Sequence, residues 1–209
     1  MNLKRALKRI RDEYRFKTRK HIASYECAEL AFIAMLDHFF KNAPGTDALF
    51  SKRKLNILDV GCSTMPYALA LKTFFEKFRQ EREVCILGID TGLGVALAEL
   101  DLGKSGITGV TVKNKRIEDL KKGGYDLATC FNLCSMDSKR FVRQIYEALG
   151  KDGLFLISFD LRDELSFHAQ AIRDAGFEII YKEENKFEQM MSTFIFNNRV
   201  LCLARKKKR

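Results

Sequence analysis

The sequence contains no C-x-x-C pair, no apolar run long enough to span a bilayer, only three histidines and no internal repeat. Its six cysteines, at 27, 62, 85, 130, 134 and 202, lack the pairing that zinc ribbons and thioredoxin-like redox sites require. Several fall inside apolar stretches, where a thiol behaves as a small packed hydrophobe, and this usage suits a reducing cytosol. No segment reaches the ~20 apolar residues of a transmembrane helix. The N-terminus is basic but lacks the apolar core and small-residue cleavage site of a secretory leader. The expectation is therefore a cytoplasmic protein without membrane association. His21, His38 and His168 are scattered, so they read as surface or structural residues, and no metal site is expected.

What the sequence does contain is enough for a full core. The 209 residues are 46% apolar. A chain of this length suits one domain with an appendage, and it can bury about 70% of its unfolded surface without staples. The net charge of +10 is concentrated at the ends. Residues 1–20 carry nine basic residues against Asp12 and Glu13, a net of +7, and Arg205 to Arg209 add +5, leaving −2 for everything between.

Helical periodicity of Leu3, Leu7, Ile10 and Tyr14 predicts a basic helix over 3–20. It serves either as a solvated surface helix or as an arm for RNA or another acidic partner. A more apolar helix is expected over 23–41, stopped by Asn42-Ala43-Pro44-Gly45. The division is an N-terminal helical extension over 1–50 and a main domain over 51–209, with a linker at 42–54. From residue 55, strands alternate with helices. Strands are expected at 55–60, 84–89, 108–112, 125–131 and 154–159, the last preceded by a turn at Lys151-Asp152-Gly153. Helices are expected at about 66–80, 92–102, 138–149 and 163–175. This alternation argues for a parallel sheet covered on both faces. Strands at 177–181 and 199–204 leave no room for an ordinary crossover helix, so the last strand should run antiparallel.

Ligands bind open α/β sheets outside the carboxyl ends of the strands, near a topological switch point. Leu58-Asp59-Val60-Gly61-Cys62-Ser63 ends the first strand on a glycine that lets a ligand approach the backbone. The second strand ends in Asp90-Thr91, where an acid can accept hydrogen bonds from both ribose hydroxyls. Such a pairing suits a nucleoside.

These stretches resemble the class I S-adenosylmethionine-dependent methyltransferases over about residues 50–205. Leu58 to Cys62 is similar to that family's first motif and Gly88-Ile89-Asp90 to its second. Tyr125 to Cys130 matches the fourth, and Leu149-Gly150-Lys151-Asp152-Gly153 the entry to strand five. The resemblance implies an α/β, Rossmann-like, seven-stranded and mostly parallel sheet with an antiparallel last strand, plus the helical extension. It implies S-adenosylmethionine as cofactor. Asp59, Gly61, Cys62 and Ser63 would lie toward its amino-acid end, Asp90 and Thr91 at the ribose, and Ile117 with Glu118 or Asp119 at the adenine. Asn132 would sit near the sulfonium. Catalytic candidates are Asn132, Asp137 and Asp160. The family usually has glycines where this sequence has Ser63 and Met65. The stretch Gly61 to Ala70 is also locally similar to chemotaxis receptor glutamate methyltransferases and to aminoglycoside-resistance ribosomal RNA methyltransferases, without their substrate elements. No Asn-Pro-Pro-Tyr follows strand four, which argues against amino methylation of that type.

The functional expectation is a methyltransferase with an unassigned acceptor. RNA is slightly favoured through the basic helix, ahead of a small molecule or a protein. The alternative is a cofactor- or nucleic-acid-binding module without turnover. The apolar link over 182–197, with Phe187, Met190, Met191, Phe194 and Phe196, is expected as a lid or acceptor wall. The basic tail at 205–209 is expected at the sheet edge opposite the ligand.

Overall fold

A computed structural model describes residues 32–62, 66–77, 82–92, 94–96, 98–99, 102, 107–120, 123–131, 138–160, 165–185 and 199–207. The helix expected at 3–20 and the cluster from Phe187 to Phe196 lie outside these residues.

The centre is a seven-stranded sheet. Its strands are β1 (Lys54–Val60), β2 (Glu83–Asp90), β3 (Val110–Asn114), β4 (Tyr125–Cys130), β5 (Leu149–Asp160), β6 (Phe177–Asn185) and β7 (Arg199–Lys206). Their order is β3-β2-β1-β4-β5-β7-β6. All neighbours are parallel except β7, which runs antiparallel to both β5 and β6. This is the expected Rossmann-like sheet with a reversed last strand. A short connection after β6 can only return the chain antiparallel, which is what the spacing implied.

Helices cover both faces. On one lie α1 (32–42), α2 (Asp47–Ser51), α3 (Pro66–Lys77) and the helical residues 94–96, 98–99 and 102, here α4. On the other lie α5 (Ser138–Ala148) and α6 (Leu165–Asp174). The period-2 alternation of β1 serves both layers. Leu55 and Ile57 enter the first core, and Leu58 and Val60 the second.

Residues 42–54 are not a linker. They hold α2, with Leu49 buried, and β1 already begins at Lys54. The reason is aromatic packing. Phe40 of α1 contacts Phe39, Phe50, Phe74 and Phe75, with ring centroids 5.5–5.7 Å apart. Arg82 closes this region from beneath. Its guanidinium donates to the carbonyls of Lys52, Phe75 and Phe50 and lies over the Phe50 ring. Residues 32–51 therefore share one core with the sheet.

Three strand boundaries differ from expectation. β3 starts at Val110 because Gly109, at φ +77°, makes the turn before it. β5 starts at Leu149, so Lys151-Asp152-Gly153 is extended chain rather than a turn. Leu149 pairs with Tyr125 and Leu154 with Leu127, so β5 advances five positions where β4 advances two. This irregularity, a bulge, absorbs the polar residues. β6 continues through Lys182-Glu183-Glu184 to Asn185, pairing with β7. An edge strand tolerates such charge because its outer side faces solvent.

Among the described residues no helix is long and apolar enough to cross a membrane. Cys62, Cys85, Cys130 and Cys202 form no disulfide. Replacing Phe40 by alanine should cost about 3–5 kcal/mol, as for buried Phe truncations generally. Urea unfolding should remain a single transition, because α1 and the sheet melt together. A separate early transition would show that α1 and α2 pack independently.

Candidate functional site

A cavity of about 370 Å³ opens at the carboxyl ends of β1, β2 and β4, within the ~300–1,000 Å³ usual for small-ligand sites. Val60, Ile89 with Asp90, and Cys130 line it from these strand ends. In the order β2-β1-β4, the chain departs from β1 in both directions, so this is the topological switch point. The sequence placed a ligand here.

The turn after β1 is hung from β2. The amides of Gly61 and Cys62 both donate to the Ile89 carbonyl, at 2.9 and 3.3 Å. Gly61 has φ +75°, a left-handed conformation that disfavours side chains, and space within 4 Å of where its Cβ would stand is empty. Its backbone is therefore open to the cavity. Cys62 is buried beside Gly88, where a Cβ would stand 2.9 Å from the Cys62 Sγ. Burial pushes the Cys62 thiol up, so it stays protonated and inert. Ser63 lies outside the described residues.

Asp90 ends β2 on the cavity wall. Its Oδ1 accepts the Thr91 amide at 2.7 Å, and its carbonyl accepts the Lys115 amide at 3.0 Å. The second bond ties the chain after β3 to the end of β2. There Ile117 opens a 3-10 turn, Ile117–Asp119, and Ile117 and Glu118 line the cavity. Asp119 instead accepts the Arg116 amide at 3.3 Å and fixes the turn. Of the two acids expected near an adenine, Glu118 thus faces the cavity. Its carboxylate lies 4.0 Å from the Arg140 guanidinium.

Asp59 is set apart from this cavity by strand alternation. Val60, Ile89 and Cys130 face the α5–α6 layer, whereas Asp59 lies on the α1–α3 side with Leu55 and Ile57. It is 1% exposed and accepts the Thr129 hydroxyl at 2.7 Å. Its Oδ2 has no hydrogen-bond partner among the described residues. Burial pushes its carboxyl up to about 7; the Thr129 hydrogen bond opposes the shift, and the Asp90 charge adds to it. Asp59 reaches the site only through the turn above it.

Asn132 and Asp137 lie outside the described residues. Asp160 ends β5, paired in register with Arg199. β6 and β7 meet at this same edge through Asn185 and Arg199, so the 186–198 link leaves from the cavity's edge of the sheet. Arg205 pairs with Leu154 at the opposite edge, as expected for the basic tail.

Sequence reasoning missed Thr129 and Lys115, and the α5 contribution of Arg140, Phe141 and Gln144. A signal for α5 existed. Phe141, Val142, Ile145 and Ala148 form its buried face, and Gln144, three residues after Phe141 and four before Ala148, falls on that face. A glutamine at a core-facing position marks something other than packing.

The sequence matches no family model and no curated protein. Similar folds are found among solved structures. One is a TehB-like SAM-dependent methyltransferase from Corynebacterium glutamicum, 18% identical, with 94% of this chain and 97% of that chain covered and a TM-score of 0.58. Another is a SAM-dependent methyltransferase from Methanosarcina mazei, 15% identical, with 79% and 98% covered and a TM-score of 0.59. The [4+2]-cyclase SpnF is 18% identical, with 78% and 80% covered and a TM-score of 0.57.

The Asp59 shift sets a pH dependence. Its folded pKa lies above the unfolded value near 3.9, so between about pH 4 and 7 the folded chain holds a proton that the unfolded chain has released. Stability from this group is greatest below pH 4 and falls by at most about 4 kcal/mol as pH rises through 7. Urea unfolding at pH 4.5, 6 and 8 should show this decline reduced in Asp59→Asn. Parallel curves for both proteins would contradict the burial argument.

Proposed function

We propose that this chain, whose fold is that of the class I S-adenosylmethionine-dependent methyltransferases, binds S-adenosylmethionine in the switch-point cavity and transfers its methyl group, with RNA the favoured acceptor. The observation that carries the reading is the convergence, at one cavity, of the open Gly61 backbone, the Asp90 carboxylate and the Ile117 side chain. These residues fit an adenosyl group. The Asp90 carboxylate accepts from ribose hydroxyls, and its orientation is set in advance by the Thr91 amide. Ile117 gives a base an apolar face to lie against. Gly61 leaves room for the part of the ligand nearest the turn.

The bound sulfonium supplies an electrophilic methyl group. The protein's share of the chemistry is orientation. Holding both reactants in line removes much of the entropic barrier. A general base is needed only for a protonated acceptor, and Asp137 and Asp160 are its candidates; Asn132, the third catalytic candidate, has a carboxamide that can orient an acceptor but not deprotonate it. The RNA preference is supported by the +7 charge of residues 1–20, which would give salt-dependent, sequence-independent affinity. A small-molecule or protein acceptor remains the rival within the same activity. One observation favours a different class. Ser63 and Met65 replace glycines usual in the first motif, and a cyclase has a similar fold, so binding without methyl transfer is the second reading.

Asp90→Ala should weaken S-adenosylhomocysteine binding by about 10- to 150-fold, the loss of charge-assisted bonds worth ~1.5–3 kcal/mol, with an unchanged thermal midpoint. Calorimetry reads this directly, and equal affinity in both proteins would refute the ribose assignment. Radiolabelled methyl transfer into RNA, protein and metabolite fractions then separates the acceptors and the two readings. Deleting residues 1–20 should lower RNA affinity and flatten its dependence on salt. An unaltered slope in a filter-binding assay would leave the basic helix without an RNA role.

A further inference from the structure

Helix α5 brings three side chains to the cavity: Arg140, Phe141 and Gln144. Phe141 is buried and adds a second apolar wall to that of Ile117. Arg140 is engaged with Glu118 across 4.0 Å; Arg140 is largely exposed and Glu118 partly so, which sets the pair at the solvent side. Gln144 differs from both. Its Oε1 is shielded from solvent and has no hydrogen-bond partner among the described residues.

An unmade hydrogen bond at a buried acceptor is costly, and native proteins rarely leave one without reason. Here the group stands at the wall of a ligand cavity. The terminal torsion of a glutamine is broad, so a small rotation presents either face of the carboxamide to a ligand. A carboxamide offers one acceptor and one donor side by side. The 6-amino edge of adenine offers the matching pair, an N–H donor beside a ring-nitrogen acceptor. Glu118 is the less suited acceptor, because its carboxylate is partly solvated and already faces a guanidinium.

We infer that Gln144 reads the exocyclic amine of the bound base and sets the cavity's preference for adenine. The inference rests on the adenosyl-cofactor reading and adds to it a specificity-determining residue on α5. Asp90 holds the sugar, Ile117 and Phe141 supply apolar surface, and the Gln144 carboxamide selects the base edge. The Oε1 is shielded even with the cavity empty, so binding must turn the carboxamide before this acceptor meets the base.

The test is a cycle of two proteins and two ligands, read by calorimetry. The ligands are S-adenosylhomocysteine and its analogue with hydrogen in place of the 6-amino group. The proteins are the wild type and Gln144→Leu. The wild type should prefer the amino ligand about tenfold, as one hydrogen bond allows. Gln144→Leu should bind both ligands within about twofold of each other, through a larger loss of affinity for the amino ligand than for its analogue. Its thermal midpoint should be unchanged or higher, since the substitution removes a buried acceptor without a partner. A preference retained in Gln144→Leu would overturn the inference while leaving the cofactor reading intact. A wild type that binds both ligands equally would overturn it as well. A folded wild type that binds neither would overturn the cofactor reading, and this inference with it.

Discussion

The Ile89 carbonyl oxygen accepts hydrogen bonds from two successive amides, Gly61 and Cys62, and the geometry of the ligand edge depends on that junction. The chain leaving β1 must turn at once to make both bonds, and the left-handed Gly61 permits the turn. Cys62 then descends into space that β2 vacates by having Gly88 rather than a larger residue. One residue further along β2, the Asp90 carbonyl holds the Lys115 amide and brings the 3-10 turn of Ile117 to the same edge. Three backbone hydrogen bonds thus fix the ends of β1, β2 and β3 relative to one another. The cavity is the space they leave.

The sheet divides the chemistry between its faces. The α5–α6 face carries the cavity, with wall residues that are apolar except at Asp90 and Thr91, on Gln144 and at the charged mouth. The opposite face carries the aromatic cluster of α1, α2 and α3, together with the buried Asp59–Thr129 pair. A carboxyl in that position costs stability at neutral pH, and it lies directly beneath the turn that the site needs. Native structures accept such costs mainly where a local arrangement must be held.

The sheet was legible because its strands are short apolar runs bounded by turn residues, and because the short connection between β6 and β7 permits one direction only. Boundaries were less legible where the signal was polar. The charged end of β6 is stabilised by pairing with β7, which a hydropathy pattern cannot register. The start of β5 reads as a turn in sequence because Lys-Asp-Gly has turn chemistry, yet pairing with β4 keeps it extended. At the site, Gly61 and Asp90 could be named from their positions at strand ends and Ile117 and Glu118 from the family resemblance, and all four line the cavity. Asp59 could be named but not oriented, since strand alternation turns it to the far face. The α5 residues were hidden because helix packing, not a strand end, brings them to the cavity.

The fold leaves the reaction open, since a [4+2]-cyclase is similar to it. The proposed occupant of the cavity is an adenosyl ligand, and the most direct test is a crystal structure grown with S-adenosylhomocysteine. The account predicts both ribose hydroxyls within hydrogen-bond distance of the Asp90 carboxylate and the base against Ile117. A nucleoside bound elsewhere, or a cavity without ligand at saturating concentration, would contradict it.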